Sequence, residues 1–295
     1  MQIILIVKNA TISRKASDLI ITWAGKTTEV STHELELLII MGSNVTLSSS
    51  VLLFLASIGV PVVINGKIYD SVLVSPFLNT MSEIRAKQYL MSDNDKLYLA
   101  KKFIEGKILS MNNLMKYFSY LRKIQVNPVK ISFDKVSDID SLRVREAEMS
   151  KKAWEELSKF FPNFSGRKPR NNDPINRGID YAYSIIYGLC THALIAVGFD
   201  PYFGVMHKNM SGRVSFTYDF SEMFKPIGIH AVFATKSLSL DSNGYLSKDS
   251  ALSVTKHLYD IIVKKKIKSA IYRKGNELKK FVMENKDFTP FAYKP

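Results

Sequence analysis

The spacing of apolar residues in this 295-residue chain changes once, near Pro76, and that change limits the folds open to it. Before Pro76, the runs IILIV, DLIITWA and TTEVST are rich in β-branched residues and read as strands, with NATISRKAS and AGK as polar turns between them. LELLIIM and SNVTLSSS follow, and the serines at 48 to 50 are placed to cap VLLFLASIG as a short helix ending at Gly59. PVVIN and KIYDSVLV add two strands around an Asn65-Gly66 turn. After Pro76, apolar residues recur at three and four in SEIRAKQYLM and in DKLYLAKKFIEGKILSMNNLMKYFSYLRKI, the spacing of helices. The loop QVNPVKISFDKVSD ends that pattern, and another helix starts near Asp140. The polar loop NFSGRKPRNNDP delivers Pro174 into the first turn of INRGIDYAYSIIYGLCTHALIAVG, which Gly198 closes. LSKDSALSVTKHLYDIIVKKKIK and RKGNELKKFVMEN are the last helical segments. The fold class is therefore α+β: an N-terminal β-strand domain over residues 1–75, a linker at 76–84, and a larger all-α domain over 85–295.

Charge follows the same division. Residues 1–75 hold five basic side chains (Lys8, Arg14, Lys15, Lys26, Lys67) and five acidic ones (Asp18, Glu29, Glu34, Glu36, Asp70), so the whole net charge of +14 lies beyond them. A basic second domain points to a polyanion, with nucleic acid first, although a solubilising surface carries charge too. The opening MQIILIVK is short and has no basic region before it, so it reads as a first strand. No run of apolar residues is long enough to span a membrane. The one cysteine, Cys190, lies in an apolar helical pattern and reads as core, which suits a reducing, cytoplasmic setting. Phosphate-loop and dinucleotide glycine patterns, Cys-x-x-Cys zinc pairs and the Gly-x-Ser-x-Gly elbow are all absent.

What chemistry remains is concentrated in GVMHKNMSGRVSFTYDFSEMFKP. His207 stands in a polar loop, and Asp219 and Glu222, three apart, share a face if the segment is helical. Carboxylates with one imidazole make an O/N ligand set for Mg²⁺ or Mn²⁺. By themselves these residues read equally as a loop histidine and a helix-capping carboxylate. A third carboxylate comes from LRVREAEMSKKAWEEL, where Glu146, Ser150 and Trp154 form an i, i+4, i+8 stripe that turns inward. Glu155 and Glu156 read as solvated surface. An inward carboxylate needs a partner, either a metal or one of the nearby cations Arg143, Arg145, Lys151 and Lys152.

Taken in order, the Leu-Arg-x-x-Glu helix, GRKPRNNDPINRGIDYAYSIIYG, ALIAVGFDPYFGVMH and SFTYDFSEMFKP resemble the CRISPR-associated endonuclease/integrase family of spacer acquisition. HELELLIIMGSNVTLSSSVLLFLASIGVPVVI extends the resemblance into the N-terminal half. It implies Glu146, His207 and Glu222 as ligands of Mg²⁺ or Mn²⁺ and Asp219 as a further active-site carboxylate. The family's usual Ile-Glu-Gly reads Arg145-Glu146-Ala147 here, which leaves Glu148 as the alternative ligand, and Lys225 stands where the family often has Arg. The implied activity is metal-dependent DNA cleavage and integration, with a DNA 3′-hydroxyl attacking a phosphodiester of the CRISPR repeat. The implied partners are double-stranded and branched DNA, a second copy of the chain joined through the β domains, and a small ferredoxin-like second adaptation protein. Arg167, Lys168, Arg170, Lys208, Arg213 and Lys225 are the candidate DNA contacts, and Tyr187 and Tyr218 either pack near DNA or belong to the core. Two other readings fit the same residues: a structure-specific nuclease or mobile-element integrase of the same fold, and a catalytically silent DNA-binding scaffold.

Overall fold

Apolar and polar side chains alternate along Ala10–Lys15, with Ala10 and Ile12 buried and Thr11 and Ser13 exposed, and this segment is strand β2. The sequence reading of NATISRKAS as a turn is thereby corrected: period-two alternation outweighs its polar composition. A computed structural model describes residues 2–6, 9–40, 44–58, 60, 62–65, 70–73, 82–161 and 164–295. The chain divides into two units, Met1–Thr80 and Met81–Pro295.

The first unit holds two four-stranded sheets among its described residues. In one, β1 (Gln2–Ile6), β5 (Leu35–Ile40) and β7 (Val62–Asn65) run parallel, and β8 (Asp70–Leu73) closes the edge antiparallel to β7. In the other the order is β4 (Lys26–Ser31), β3 (Asp18–Trp23), β2 and β6 (Val45–Leu47). Leu37, Leu38 and Ile39 are consecutive and all buried, as expected of a parallel strand covered on both faces. Helix α1 (Ser49–Ser57) sends Val51 and Leu55 into a core with Ile12, Leu19 and Leu38. Ser48 stands at its N-cap without a capping hydrogen bond from its side chain. Gly59, Gly66 and Pro76 lie outside the described residues.

The second unit is helical. It begins with α2 (Ser82–Tyr89), whose first turn lies within the 76–84 stretch read as a linker. Helix α3 (Asp93–Arg122) is capped by Ser92, whose hydroxyl accepts the backbone N–H of Asp95, and stops at Lys123 in the left-handed region. Asp138 and Ser141 form a reciprocal capping box at the start of α4 (Ile139–Ser158). Helix α5 (Pro174–Val197) begins with a proline behind the Asp173 cap and ends at Gly198, whose φ of 107° suits glycine. It is apolar nearly all round and packs against α6 (Ser215–Ser221), α7 (Lys225–Ala234), α8 (Lys248–Lys264) and α9 (Ile267–Glu284). Cys190 is fully buried on α5, and burial pushes its thiol pKa up.

Residues 285–295 form an extended tail that sequence periodicity does not register. It buries Phe288 and Tyr293. The Tyr293 backbone donates to Ser110 Oγ at 2.8 Å and accepts from the Asn113 amide at 2.8 Å. Gly106 allows the approach: a Cβ there would lie 2.6 Å from the Phe291 carbonyl oxygen and 2.8 Å from Cγ of Met223. Among the described residues, no helix is long and apolar enough to cross a membrane.

Candidate active site

The loop after α5 carries His207, and side chains of α2, α4, α6 and the loop itself hold it. Gln88 of α2 is buried and donates to the carbonyls of Asp200 (2.9 Å) and Phe203 (2.8 Å), while its oxygen accepts the Asp200 N–H. Arg143 of α4 donates to the Met206 carbonyl. The Asn209 side chain accepts the N–H of Gly204 at 2.7 Å. Asp219, near the end of α6 and fully buried, accepts the backbone N–H groups of Val205, Met206 and His207 at 2.6, 2.9 and 3.0 Å. Gly204 makes room for that carboxylate, since a Cβ would stand 2.7 Å from Asp219 Oδ2.

Asp219 also meets the imidazole itself. Its Oδ1 lies 2.5 Å from His207 Nδ1. An ionised carboxylate only accepts, so Nδ1 carries the proton and, in the neutral imidazole, Nε2 keeps the lone pair. A carboxylate behind an imidazole is the usual support of a metal-binding histidine, where it fixes tautomer and ring orientation. Asp219 therefore positions; it is not placed to ligate.

The two glutamates meet at a residue that sequence reasoning missed. Lys107 of α3 puts Nζ 2.5 Å from Glu146 Oε1 and 3.0 Å from Glu222 Oε2. Ser150, one turn along α4, donates to the same Glu146 oxygen at 2.5 Å. Lys225 at the start of α7 reaches Glu222 Oε1 at 2.5 Å. Burial alone would raise the Glu222 pKa; the ammonium groups of Lys107 and Lys225 outweigh it and hold the carboxyl near 2, with a further contribution from His207. Burial opposes the Lys107 charge, yet Glu222 and Glu146 together push its pKa above the ordinary lysine value. The 3.0 Å contact to Glu222 Oε2 lacks hydrogen-bond alignment, so this buried oxygen has an ion-pair neighbour and no directed donor.

These residues suit a hard divalent cation in type: two carboxylates and an oriented imidazole nitrogen. Among the described residues, no three such side chains stand close enough to hold a metal as they are. Lys107 holds the two glutamates in their present positions. Glu148 turns outward and pairs with Arg145 at 2.8 Å. Tyrosines wall the site: Tyr218 is 6.0 Å from the His207 ring and 4.9 Å from Tyr187, and Lys225 Nζ lies 5.5 Å from the ring centres of both Tyr183 and Tyr187. Burial, then the Glu222 charge, raises the Tyr187 pKa.

Of the basic candidates, Lys168, Arg170, Lys208 and Arg213 are exposed. Arg167 is turned in. Its guanidinium pairs with Asp180 and donates to Asn176 at 3.0 Å, and only 12% of its side chain is exposed. Lys225 is likewise committed to Glu222. Both are held by carboxylates. A signal for Lys107 was present in the sequence: it lies four residues after Phe103 and four before Met111, on the buried stripe of α3. A lysine in such a position requires an anionic partner. Gln88 carries no comparable signal.

Comparison with known proteins gives a consistent picture. The family described as CRISPR associated protein Cas1 matches residues 3–266. A CRISPR-associated endonuclease Cas1 from Hyperthermus butylicus is 28% identical over 232 residues, covering 72% of this chain and 70% of that protein. Among solved structures, a casposase bound to integration product superposes with a TM-score of 0.87 at 20% identity, covering 99% of this chain and 93% of that one. A Cas1 protein from Thermotoga maritima gives 0.81 at 18% identity, covering 97% and 99%.

Proposed function

This chain belongs to the CRISPR-associated protein Cas1 family, and on that premise we propose that it is a metal-dependent DNA endonuclease and integrase of CRISPR adaptation. In this reading a DNA 3′-hydroxyl attacks a phosphodiester of the CRISPR repeat and joins spacer DNA to it. Glu146, Glu222 and Nε2 of His207 hold Mg²⁺ or Mn²⁺. The bound ion supplies polarisation of the phosphoryl oxygen and assistance to the attacking hydroxyl.

The chain's own groups do the rest. Asp219 keeps the proton on His207 Nδ1 and aims Nε2 outward. Lys225 stays charged between Glu222 and the tyrosine faces, at hand for the charge that builds on phosphorus. Exposed Lys168, Arg170, Lys208 and Arg213 bind the DNA backbone and release its counterions. Two chains pair through their β-rich units, and the dimer works with the small ferredoxin-like second adaptation protein. A casposase of the same fold was solved bound to integration product, which supports integration over simple hydrolysis.

The observation that carries this reading is the convergence of Glu146 of α4 and Glu222, at the end of α6, on one cation position, occupied by the Lys107 ammonium. Strand transfer of an oligonucleotide into a repeat-bearing plasmid tests it. Activity should require Mg²⁺ or Mn²⁺ and vanish in Glu146→Ala, His207→Ala and Glu222→Ala, with DNA binding retained, while Glu148→Ala stays active. Full activity in all three single variants would end the proposal.

A further inference from the structure

We infer that Lys107 is a resident counter-cation of the metal site: its ammonium holds Glu146 and Glu222 in the absence of metal and must leave them for a divalent ion to enter. This rests on the assignment of those glutamates as ligands. An ammonium 2.5 Å from one carboxylate and 3.0 Å from the other stands where a shared cation belongs, and only 12% of its side chain is exposed. A buried and a half-buried carboxylate facing each other without a cation between them would repel, and the buried one would lose hydration that nothing restores. Lys107 supplies that cation from within the fold.

A permanent structural salt bridge would look different. It would satisfy its oxygens, whereas Glu222 Oε2 is buried with no aligned donor. Here the α3 backbone is fixed from behind, where the tail carbonyl of Phe291 presses on Gly106, the neighbour of Lys107. The lysine stem is flexible and its ammonium is a compact point charge, so the side chain can withdraw while the helix stays. Glu222 keeps its second ammonium, Lys225, throughout.

The exchange raises the charge of the site by one. Glu146, Asp219 and Glu222 face two ammonium groups, Lys107 and Lys225, which leaves the carboxylates one negative charge in excess. A divalent ion in place of Lys107 cancels that excess, so the repulsion of phosphate is removed. No covalent bond changes; one ammonium leaves two carboxylates as one ion arrives.

Mn²⁺ binding to the full-length protein, followed by the electron paramagnetic resonance of free Mn²⁺, tests the inference without reference to turnover. Lys107→Met keeps the stem and removes the charge, and should bind Mn²⁺ about tenfold tighter or more. Without metal it should melt below the wild type, and Mn²⁺ should raise its Tm by more than it raises the wild type's. Lys107→Arg keeps the charge and should bind no tighter than the wild type. If the Met variant does not fold, Lys107→Gln is measured in its place under the same criteria. Affinity unchanged or weakened in the folded neutral variant, or tightened equally in the Arg variant, overturns the inference. Glu222→Gln separates the two proposals. If it loses Mn²⁺ while the neutral Lys107 variant binds as the wild type, only the role of Lys107 fails. If Glu222→Gln binds Mn²⁺ normally, the ligand assignment fails as well.

Discussion

Nδ1 of His207 lies 2.5 Å from Oδ1 of Asp219, and Oδ2 of Asp219 takes the backbone N–H groups of Val205 and Met206. One buried carboxylate thus fixes both the ring and the loop that carries it. Asp219→Asn leaves a single neutral acceptor for these donors and frees the ring to turn. Mn²⁺ affinity should fall roughly 10–100-fold, the loss usual for a supporting carboxylate. An isotherm matching the wild type would show that the histidine needs no such support.

Gln88 makes its three hydrogen bonds to the backbone between Asp200 and Phe203, at the root of the same loop. Gln88→Leu keeps the volume and strips these partners away. The loss should be about 2–4 kcal/mol of unfolding free energy, since each buried group left without a partner costs about 1–3. Urea denaturation measures it. A variant as stable as the wild type, with normal Mn²⁺ affinity, would show that α2 does not hold the loop.

His230 on α7 lies beside the tail, with Nδ1 2.7 Å from the Tyr293 hydroxyl. Burial first, and the charges of Lys265 and His257 next, lower its pKa to about 4, against about 6.5 in an unfolded chain. Between those values the unfolded state binds more protons. Stability is fully present above pH 6.5 and drains away as pH falls toward 4, by roughly 2–3 kcal/mol in all. Glu222, held near 2, stays ionised in the fold across this window. Thermal melts from pH 7 to pH 5 should show the decline in the wild type and a flatter curve in His230→Gln; parallel curves would assign the slope elsewhere.

Arg167 and Arg170 sit three residues apart in one polar loop, yet they should behave as opposites. Arg167 binds Asp180 and Asn176, so Arg167→Ala should lower Tm by leaving a half-buried carboxylate unpaired. Arg170 is exposed, and Lys168→Ala with Arg170→Ala should leave Tm unchanged while reducing the salt dependence of DNA affinity by a slope of about 2. Equal salt slopes in the double variant and the wild type would exclude this loop from the DNA interface.

Where a residue's role shows in local pattern, the sequence disclosed it. The switch from period two to 3.6, the proline at the head of α5 and the glycine at its end all depend on near neighbours, and all are legible. The stripe of Glu146 and Ser150 is legible for the same reason, and the structure makes it a hydrogen bond. Ala10–Lys15 misled because its polar side chains face water while only Ala10 and Ile12 face the core. Lys107, Gln88 and the inward turn of Arg167 depend on partners in other helices or loops, so pattern alone did not reveal what each would meet. The tail was silent because an extended segment that docks by backbone bonds and scattered aromatics has no period to detect.

That tail sets an order on synthesis. A ribosome that has just made Glu222 and Lys225 has delivered every side chain of the site, Lys107 and Glu146 having emerged earlier. The floor under Gly106, Ser110 and Met223 is still missing, because Phe291 and Tyr293 supply it. A nascent chain therefore carries all its chemistry before it has the support that holds α3 in place, and the site becomes rigid only once residue 293 is free to dock. An enzyme that cuts and joins DNA is thus kept loose until Phe291 and Tyr293 have been made and can dock.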